Sequence, residues 1–439
     1  MVMLVIMIMG SAAFLVSSLS RSGLQTERDQ KTADALAQAK EALIGYATSV
    51  QIDLSTCMAS GNNCKRLGDL PCPDTTNDGS ADSCGNASGS TGQTLRIGRL
   101  PWKTLGLPDL RDGSGEKLWY AVSNNFKNST TRTTCTAPGQ PGCLNSDTLG
   151  TISVFSSDGT ILNDGGGSTG AVAVIIAPGD ILQRQGGAIQ DRSAAGINTA
   201  SNYLDIATVG GITEDNASFT DGSSTNGFIQ GRIKDSNGNI IVNDQLLVIT
   251  QDNIMLPIQK RVAAEVRQCL NEYAAPANGG FGRYPWPAML DPFNSPNYND
   301  SHDYLFGRVP DFDFNSTKND SGDQMSDIWP ATCNINPVSG WWLNWKEMVF
   351  FGIANAYKPR NPPSNPSCGT CLSVNPPSAT ADKKFVVIVA GKKLPGQSRS
   401  SNWDKGNLSN YLEGANANGA TPFAQSPASS TFNDTVVFQ

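Results

Sequence analysis

Residues 243–250 read NDQLLVIT and residues 433–438 read NDTVVF. Each opens on an Asn-Asp turn pair and runs on as an apolar, β-branched stretch, the pattern of a short strand entered from a turn. The same ordered signals precede both. KEALIGYA at 40–47, GRLPW at 98–102, YAVSNNF at 120–126, AVIIAPG at 173–179 and NYLD at 202–205 lead to the first. QKRVAAEVRQCLNEYA at 259–274, GRYPW at 282–286, FGIANAY at 351–357, VVIVAGK at 386–392 and NYLE at 410–413 lead to the second. Six landmarks in one order, separated by loops of different length, mark an internal duplication.

Each unit begins with a helix. In the second, Ile258, Val262, Val266, Cys269, Leu270 and Tyr273 recur at spacings of four and three and form one apolar face. Pro257 is tolerated in a first helical turn. In the first, Ala33, Leu36, Ala37, Leu43, Ile44 and Ala47 keep the same rhythm. AVAVIIA and KFVVIVA are wholly apolar runs, as expected of central strands.

The chain starts MVMLVIMIMGSAAFLV and carries no charge before Arg21. That is slightly short of the roughly 20 residues of a membrane span, which Ser17 to Ser20 would extend. A cleaved secretory signal would open on basic residues, and none are here. With no proline before Pro71, the apolar start should continue as one helix of about 50 residues, roughly 75 Å long. Val2, Leu4, Ile6, Ile8, Gly10, Phe14, Leu15 and Val16 are its candidate membrane and assembly residues. Gly10, Ser11, Ala12 and Ala13 would allow close helix approach. Arg21, Arg28 and Lys31 would then lie outside the cytoplasm, against the positive-inside rule. A basic leader upstream of Met1 would remove that conflict. The expected fold class is therefore α+β. A long N-terminal membrane-spanning helix (1–50, membrane segment and stalk) precedes two tandem helix-plus-antiparallel-sheet units, 51–250 and 251–439.

Hydrophobic residues make up 38% of the 439 and charged residues 16%, with Gly, Ser, Thr and Asn filling the difference. This composition suits an extracytoplasmic protein of short strands and long loops. A net charge of −7 would repel a phosphate backbone, so no nucleic-acid partner is expected. The ten cysteines fall mostly in close pairs: Cys57 with Cys64, Cys72 with Cys84, Cys135 with Cys143 and Cys368 with Cys371, leaving Cys269 and Cys333. Only Cys368 and Cys371 have zinc-knuckle spacing and no second knuckle matches them, so disulfides in an oxidising compartment are the reading.

At this point the chain resembles the type IV pilin and type II secretion pseudopilin (prepilin) family. The resemblance rests on the apolar start running into KEALIGYA, on DLPCPD at 69–74 and on GRLPWKTLGLPDLRDGSGEKLWYAV at 98–122. It covers about the first 125 residues. It implies a minor pilin or pseudopilin whose helix packs with those of other pilin-like subunits. It further implies an inner-membrane precursor cut by a prepilin peptidase, with the rest of the chain in the periplasm or on a surface filament of a Gram-negative bacterium. The family's Gly-hydrophobic cleavage signal and its glutamate at the fifth mature position are absent here: Val5 stands at position 5 and the first acid is Glu27. Two exterior units suit a minor or tip subunit, because such bulk on every subunit would crowd a thin filament.

Other chemistry is thin. Asp74, Asn77, Asp78 and Asp82 around DTTNDG offer oxygens for calcium, but Thr76 holds the third position and no Glu follows at the twelfth; a solvated Asx turn is the competing reading. A weaker acidic stretch runs from Asp311 to Asp327. The single histidine, His302, would have to serve any histidine-based hydrolase, and it stands in a turn-rich loop. The GGG at 165–167 lacks the Lys-Ser/Thr of a phosphate loop. No enzyme and no obligate cofactor is expected. The rival readings are an adhesin that binds a glycan or protein through Trp341, Trp342, Trp345, Phe350 and Phe351, and a membrane-tethered hydrolase. For the aromatic cluster, core packing competes with surface display.

Overall fold

The structure is a computed structural model. It describes residues 2–50, 65–84, 96–128, 135, 137–140, 142–185, 187–193, 196–276, 282–290, 298–301, 303–311, 329–330, 332–333, 335, 340–359 and 366–439, with side chains from Gly23 onward. The chain divides into two compact units. The first is Met1–Tyr46, Leu70–Thr131 and Leu149–Thr250; the second is Ala47–Asp69, Arg132–Thr148 and Gln251–Gln439. Two segments from the first half of the sequence thus fold with the second unit.

The first unit holds helix α1 (Val2–Ser49) and a four-stranded antiparallel sheet of β1 (Ile97–Arg99), β2 (Trp119–Val122), β5 (Ala173–Ala177) and β11 (Gln245–Ile249), in the order β1-β2-β5-β11. Its connections form further small sheets: β3 (Ser153–Phe155), β4 (Ile161–Asn163) and β8 (Gly227–Ile229) in one, β6 (Ile206–Val209) with β7 (Ile212–Asp215), and β9 (Ile233–Lys234) with β10 (Ile240–Val242). The second unit holds α2 (Gln251–Tyr273) and a sheet of β12 (Phe306–Arg308), β13 (Val349–Ile353), β16 (Phe385–Val389) and β17 (Thr435–Phe438), in the order β12-β13-β16-β17. It adds α3 (Gly340–Trp345) and a hairpin of β14 (Leu372–Val374) and β15 (Ser378–Lys383).

The two main sheets share strand order and register. Arg99 pairs with Trp119 and Arg308 with Phe350; Ile176 pairs with Leu246 and Ile388 with Val436. β5 and β16 are buried along their whole length, which is why both read as unbroken apolar runs. In the first unit Trp119, Ala121, Val174, Ile176 and Leu246 share one core with Tyr203, Phe219 and Phe228. In the second, Ile254, Ile258, Val262, Val266 and Leu270 form the buried face of α2.

One landmark pair needs realignment. GRLPW and GRYPW look alike, yet they occupy different places. Gly68 N–H donates to Ala47 O at 3.1 Å and Gly282 N–H to Ala274 O at 2.8 Å, each to a carbonyl at the C-terminal end of a helix and each glycine with positive φ. Next, Leu70 N–H donates to Phe126 O and Tyr284 N–H to Tyr357 O. Asp74 then exchanges two backbone bonds with Arg99, as Ala288 does with Arg308. So GDLPCPD at 68–74 answers to GRYPWPA at 282–288, and IGRLP at 97–101 answers to FGRVP at 306–310. The glycine before each arginine is required by crowding. A Cβ on Gly98 would stand 2.7 Å from Asp74 O, and one on Gly307 would meet Ala288 O still more closely.

The expected plan is corrected on its helix and on its sheets. Among the described residues no helix is long and apolar enough to cross a membrane. From Gly23 onward α1 is a surface helix: Thr32, Ala35, Leu36, Ala39, Leu43 and Ala47 are buried, while Glu27, Arg28, Asp29, Lys31 and Asp34 are exposed. At a bilayer centre such charges cost roughly 2.5–3.5 kcal/mol each. The fold is mixed helix and sheet with six small sheets among the described residues, because the long Gly-, Ser- and Asn-rich connections form strands of their own.

Candidate functional site

The resemblance implies assembly through the N-terminal helix. An open groove of about 950 Å³ is lined by α1 residues from Gly23 to Gln38 and by Asp109, Leu110 and Arg111. Its helix residues, including Thr26, Glu27, Gln30, Lys31 and Asp34, recur at spacings of three and four and so share one face. The loop after β1 fixes the helix. Thr32 Oγ1 donates to Arg28 O at 2.9 Å and accepts Gly113 N–H at 2.9 Å. A Cβ on Gly113 would collide with the Arg28 carbonyl, so only glycine lets this loop approach. Asp112 holds the loop in shape by accepting the N–H groups of Ser114, Glu116 and Gly179, each at 2.9 Å. This accounts for the DLRDG part of the segment at 98–122. Lys40 Nζ adds a bond to Val248 O at 3.1 Å. The ion pairs Arg28–Asp180 and Arg232–Asp29 on the flanks are half-exposed and contribute little. The groove mixes Glu27, Asp34 and Asp109 with Lys31 and Arg111, a lining suited to another polar helix face and ill suited to an apolar small molecule.

No family model, curated protein or solved structure matches the chain. What the molecule can do therefore rests on its own geometry.

Val2, Leu4, Ile6, Ile8, Gly10, Phe14, Leu15 and Val16 belong to the backbone of α1, but their side chains lie outside the described residues, as do Cys57, Cys64 and His302. Four disulfides form among the described residues: Cys72–Cys84, Cys135–Cys143, Cys269–Cys333 and Cys368–Cys371. The turn at 74–82 is built from local hydrogen bonds. Asp74 is buried and accepts Asn77 N–H at 2.6 Å and Gly79 N–H at 2.7 Å; Asp78 accepts Ser80 N–H; Asn77 Oδ1 accepts Lys117 Nζ. Burial works to raise the Asp82 pKa, but the donors of Thr75 and Thr76 outweigh it and hold it below the ordinary carboxylate value. Among the described residues no group of three or more His, Cys, Asp or Glu is placed to hold a metal ion. At 164–167, Asp164 accepts Gly166 N–H in an ordinary turn.

The aromatic cluster is core. Trp341, Trp342, Trp345, Phe350 and Phe351 are at most 2% exposed, so they present no adhesive surface.

Sequence reasoning missed a polar cluster that each unit contains once. Asp244 Oδ2 accepts Asp205 N–H at 2.8 Å and Asn216 Nδ2 at 2.9 Å; Asp434 Oδ2 accepts Glu413 N–H at 3.0 Å and Asn416 Nδ2 at 2.9 Å. Asp205 accepts Asn243 N–H and Gln190 Nε2; Glu413 accepts Asn433 N–H and Gln397 Nε2. Arg192 reaches Gln190 Oε1 and Gly179 O, as Arg399 reaches Gln397 Oε1 and Gly391 O. Arg99 lies 4.2 Å from the Trp119 ring and 3.9 Å from that of Tyr203; Arg308 lies 4.2 Å from Phe350 and 4.4 Å from Tyr411. The signal was in the sequence: Gln190-Asp191-Arg192-Ser193 and Gln397-Ser398-Arg399-Ser400 precede NYLD and NYLE. Burial pushes Asp205 up to about 6, and burial followed by the Asp205 charge raises Asp244 well above the ordinary carboxylate range. Burial and then the Glu413 charge do the same to Asp434. Asp244 and Asp434 are buried, and Oδ2 of each takes one backbone N–H and one asparagine amide, so each cluster acts as a lock between two turns.

Proposed function

We propose that the chain is a minor subunit of a type IV pilin-like or pseudopilin-like assembly outside the cytoplasm, acting by association and not by turnover. The observation that carries this reading is α1: one continuous helix that buries Leu36, Ala39 and Leu43 in its C-terminal half and is bonded to β11 through Lys40 Nζ and Val248 O, beside a groove lined by polar side chains of one helix face. Such a helix offers a polar face to a neighbouring helix. The disulfides support an oxidising location.

The test is photo-cross-linking in cells. Photoreactive residues replace Glu27 and Asp34 in the groove, with Ser236 on an exposed turn as control. Adducts with the helix of another pilin-like subunit at 27 and 34, and not at 236, are expected. The absence of any pilin-like adduct at 27 and 34 in filament-producing cells would overturn the assignment.

A further inference from the structure

In the second unit Lys346 Nζ lies 2.6 Å from Asp311 Oδ2, and both side chains are fully buried. Trp342 Nε1 donates to the same Oδ2 at 2.9 Å, and Tyr298 N–H donates to Oδ1 at 2.7 Å. The Tyr298 ring stands 4.5 Å from Nζ. The first unit builds the same sheet without this pair. Asp311 follows Arg308 by three residues, where Trp102 follows Arg99; Lys346 precedes Phe350 by four, where Gly115 precedes Trp119. The fold therefore does not require the pair, and buried ion pairs stabilise poorly for the desolvation they cost.

We propose that Lys346 and Asp311 are a self-modification site at which the two side chains condense into an intramolecular amide cross-link. Proton transfer across the 2.6 Å contact gives an amine and a carboxylic acid. Burial drives both partners that way, raising the Asp311 carboxyl and lowering the Lys346 amine, against the attraction between their charges. The Nζ lone pair then forms a bond to Asp311 Cγ. Oδ1 takes up the developing charge against the Tyr298 N–H. The Cγ–Oδ2 bond breaks and Oδ2 leaves as water, carrying its own proton and one from Nζ. No oxidant or co-reactant is needed, and the product closes the loop between the two residues as a disulfide would.

The intact mass of the folded full chain, measured after denaturation with every disulfide reduced, decides. A mass about 18 Da below that of the sequence is expected, from the water lost in the condensation. A tryptic map should contain one branched peptide joining the segments of Asp311 and Lys346. Lys346→Arg keeps the positive charge but removes the nucleophilic amine, and should restore the full mass. Asp311→Asn should reach the wild-type mass by losing ammonia. The full sequence mass in the folded wild-type chain, or a deficit that persists in Lys346→Arg, would overturn the proposal.

Discussion

Asp434→Ala should unfold the second unit far more readily than Asp434→Asn, although both remove the carboxylate. The alanine leaves Glu413 N–H and the Asn416 amide without their buried acceptor. Each such orphaned donor costs about 1–3 kcal/mol, so a loss of roughly 2–5 kcal/mol is expected in denaturant titration. Asparagine keeps an accepting oxygen and is neutral, as the buried acid itself is when protonated, and should stay within about 1 kcal/mol of wild type near pH 6. The pair Asp244→Ala and Asp244→Asn should behave alike in the first unit, where the same two bonds recur. The pH dependence has a definite sign. The folded-state pKa values of Asp205, Asp244 and Asp434 are raised, so the folded chain binds these protons more tightly than the unfolded one. Their contribution to stability is complete below the unfolded value near 3.8 and declines as pH rises; for Asp205 the loss runs from there to about 6. Asp244→Asn should flatten that decline. A slope unchanged in the variant would show that the pair does not hold its proton.

Arg308→Ala should be the most damaging single change among the arginines of the second unit. Arg308 is buried, its guanidinium lies within 4.4 Å of the Phe350 and Tyr411 ring centres, and Nη2 donates to Lys405 O at 2.9 Å. Truncation loses the cation–π contacts, the packed stem and that bond, and leaves a cavity beside two rings, for a total of roughly 3–5 kcal/mol. Arg308→Lys should recover little of it, because an ammonium lacks the planar face that lies over the rings. Arg99 stands in the matching place in the first unit, so Arg99→Ala should cost a similar amount. Thermal melts of the three variants would check this. A lysine variant equal to wild type would mean that charge, not shape, holds the site.

The strands were legible because burial on both faces leaves an unbroken apolar run, as in AVIIA and FVVIV. The duplication was legible because both copies conserve turn chemistry, NYLD with ND and NYLE with ND. The GRLPW–GRYPW match misled because letters outweighed place. Only the backbone bonds show that Gly68 and Gly282 share a job after a helix, and that Gly98 and Gly307 share another at a crowded crossing. The charged half of α1 carried a warning against a membrane span that the apolar start overshadowed. Trp341, Trp342 and Trp345 could not be assigned to core or surface from composition, since tryptophan serves in both. The acid pairs were invisible as chemistry because their members lie 39 and 21 residues apart and meet only through the sheet.

The measurement that bears most directly on the proposed assembly role is quantitative mass spectrometry of filaments sheared from cells and purified by sedimentation. The chain is expected in the filament pellet at well below the amount of the main subunit, and α1 variants with charge reversals at Lys31 and Asp34 should be lost from the pellet while remaining folded. Recovery of the chain only in fractions free of filaments, in cells that make filaments normally, would contradict the account.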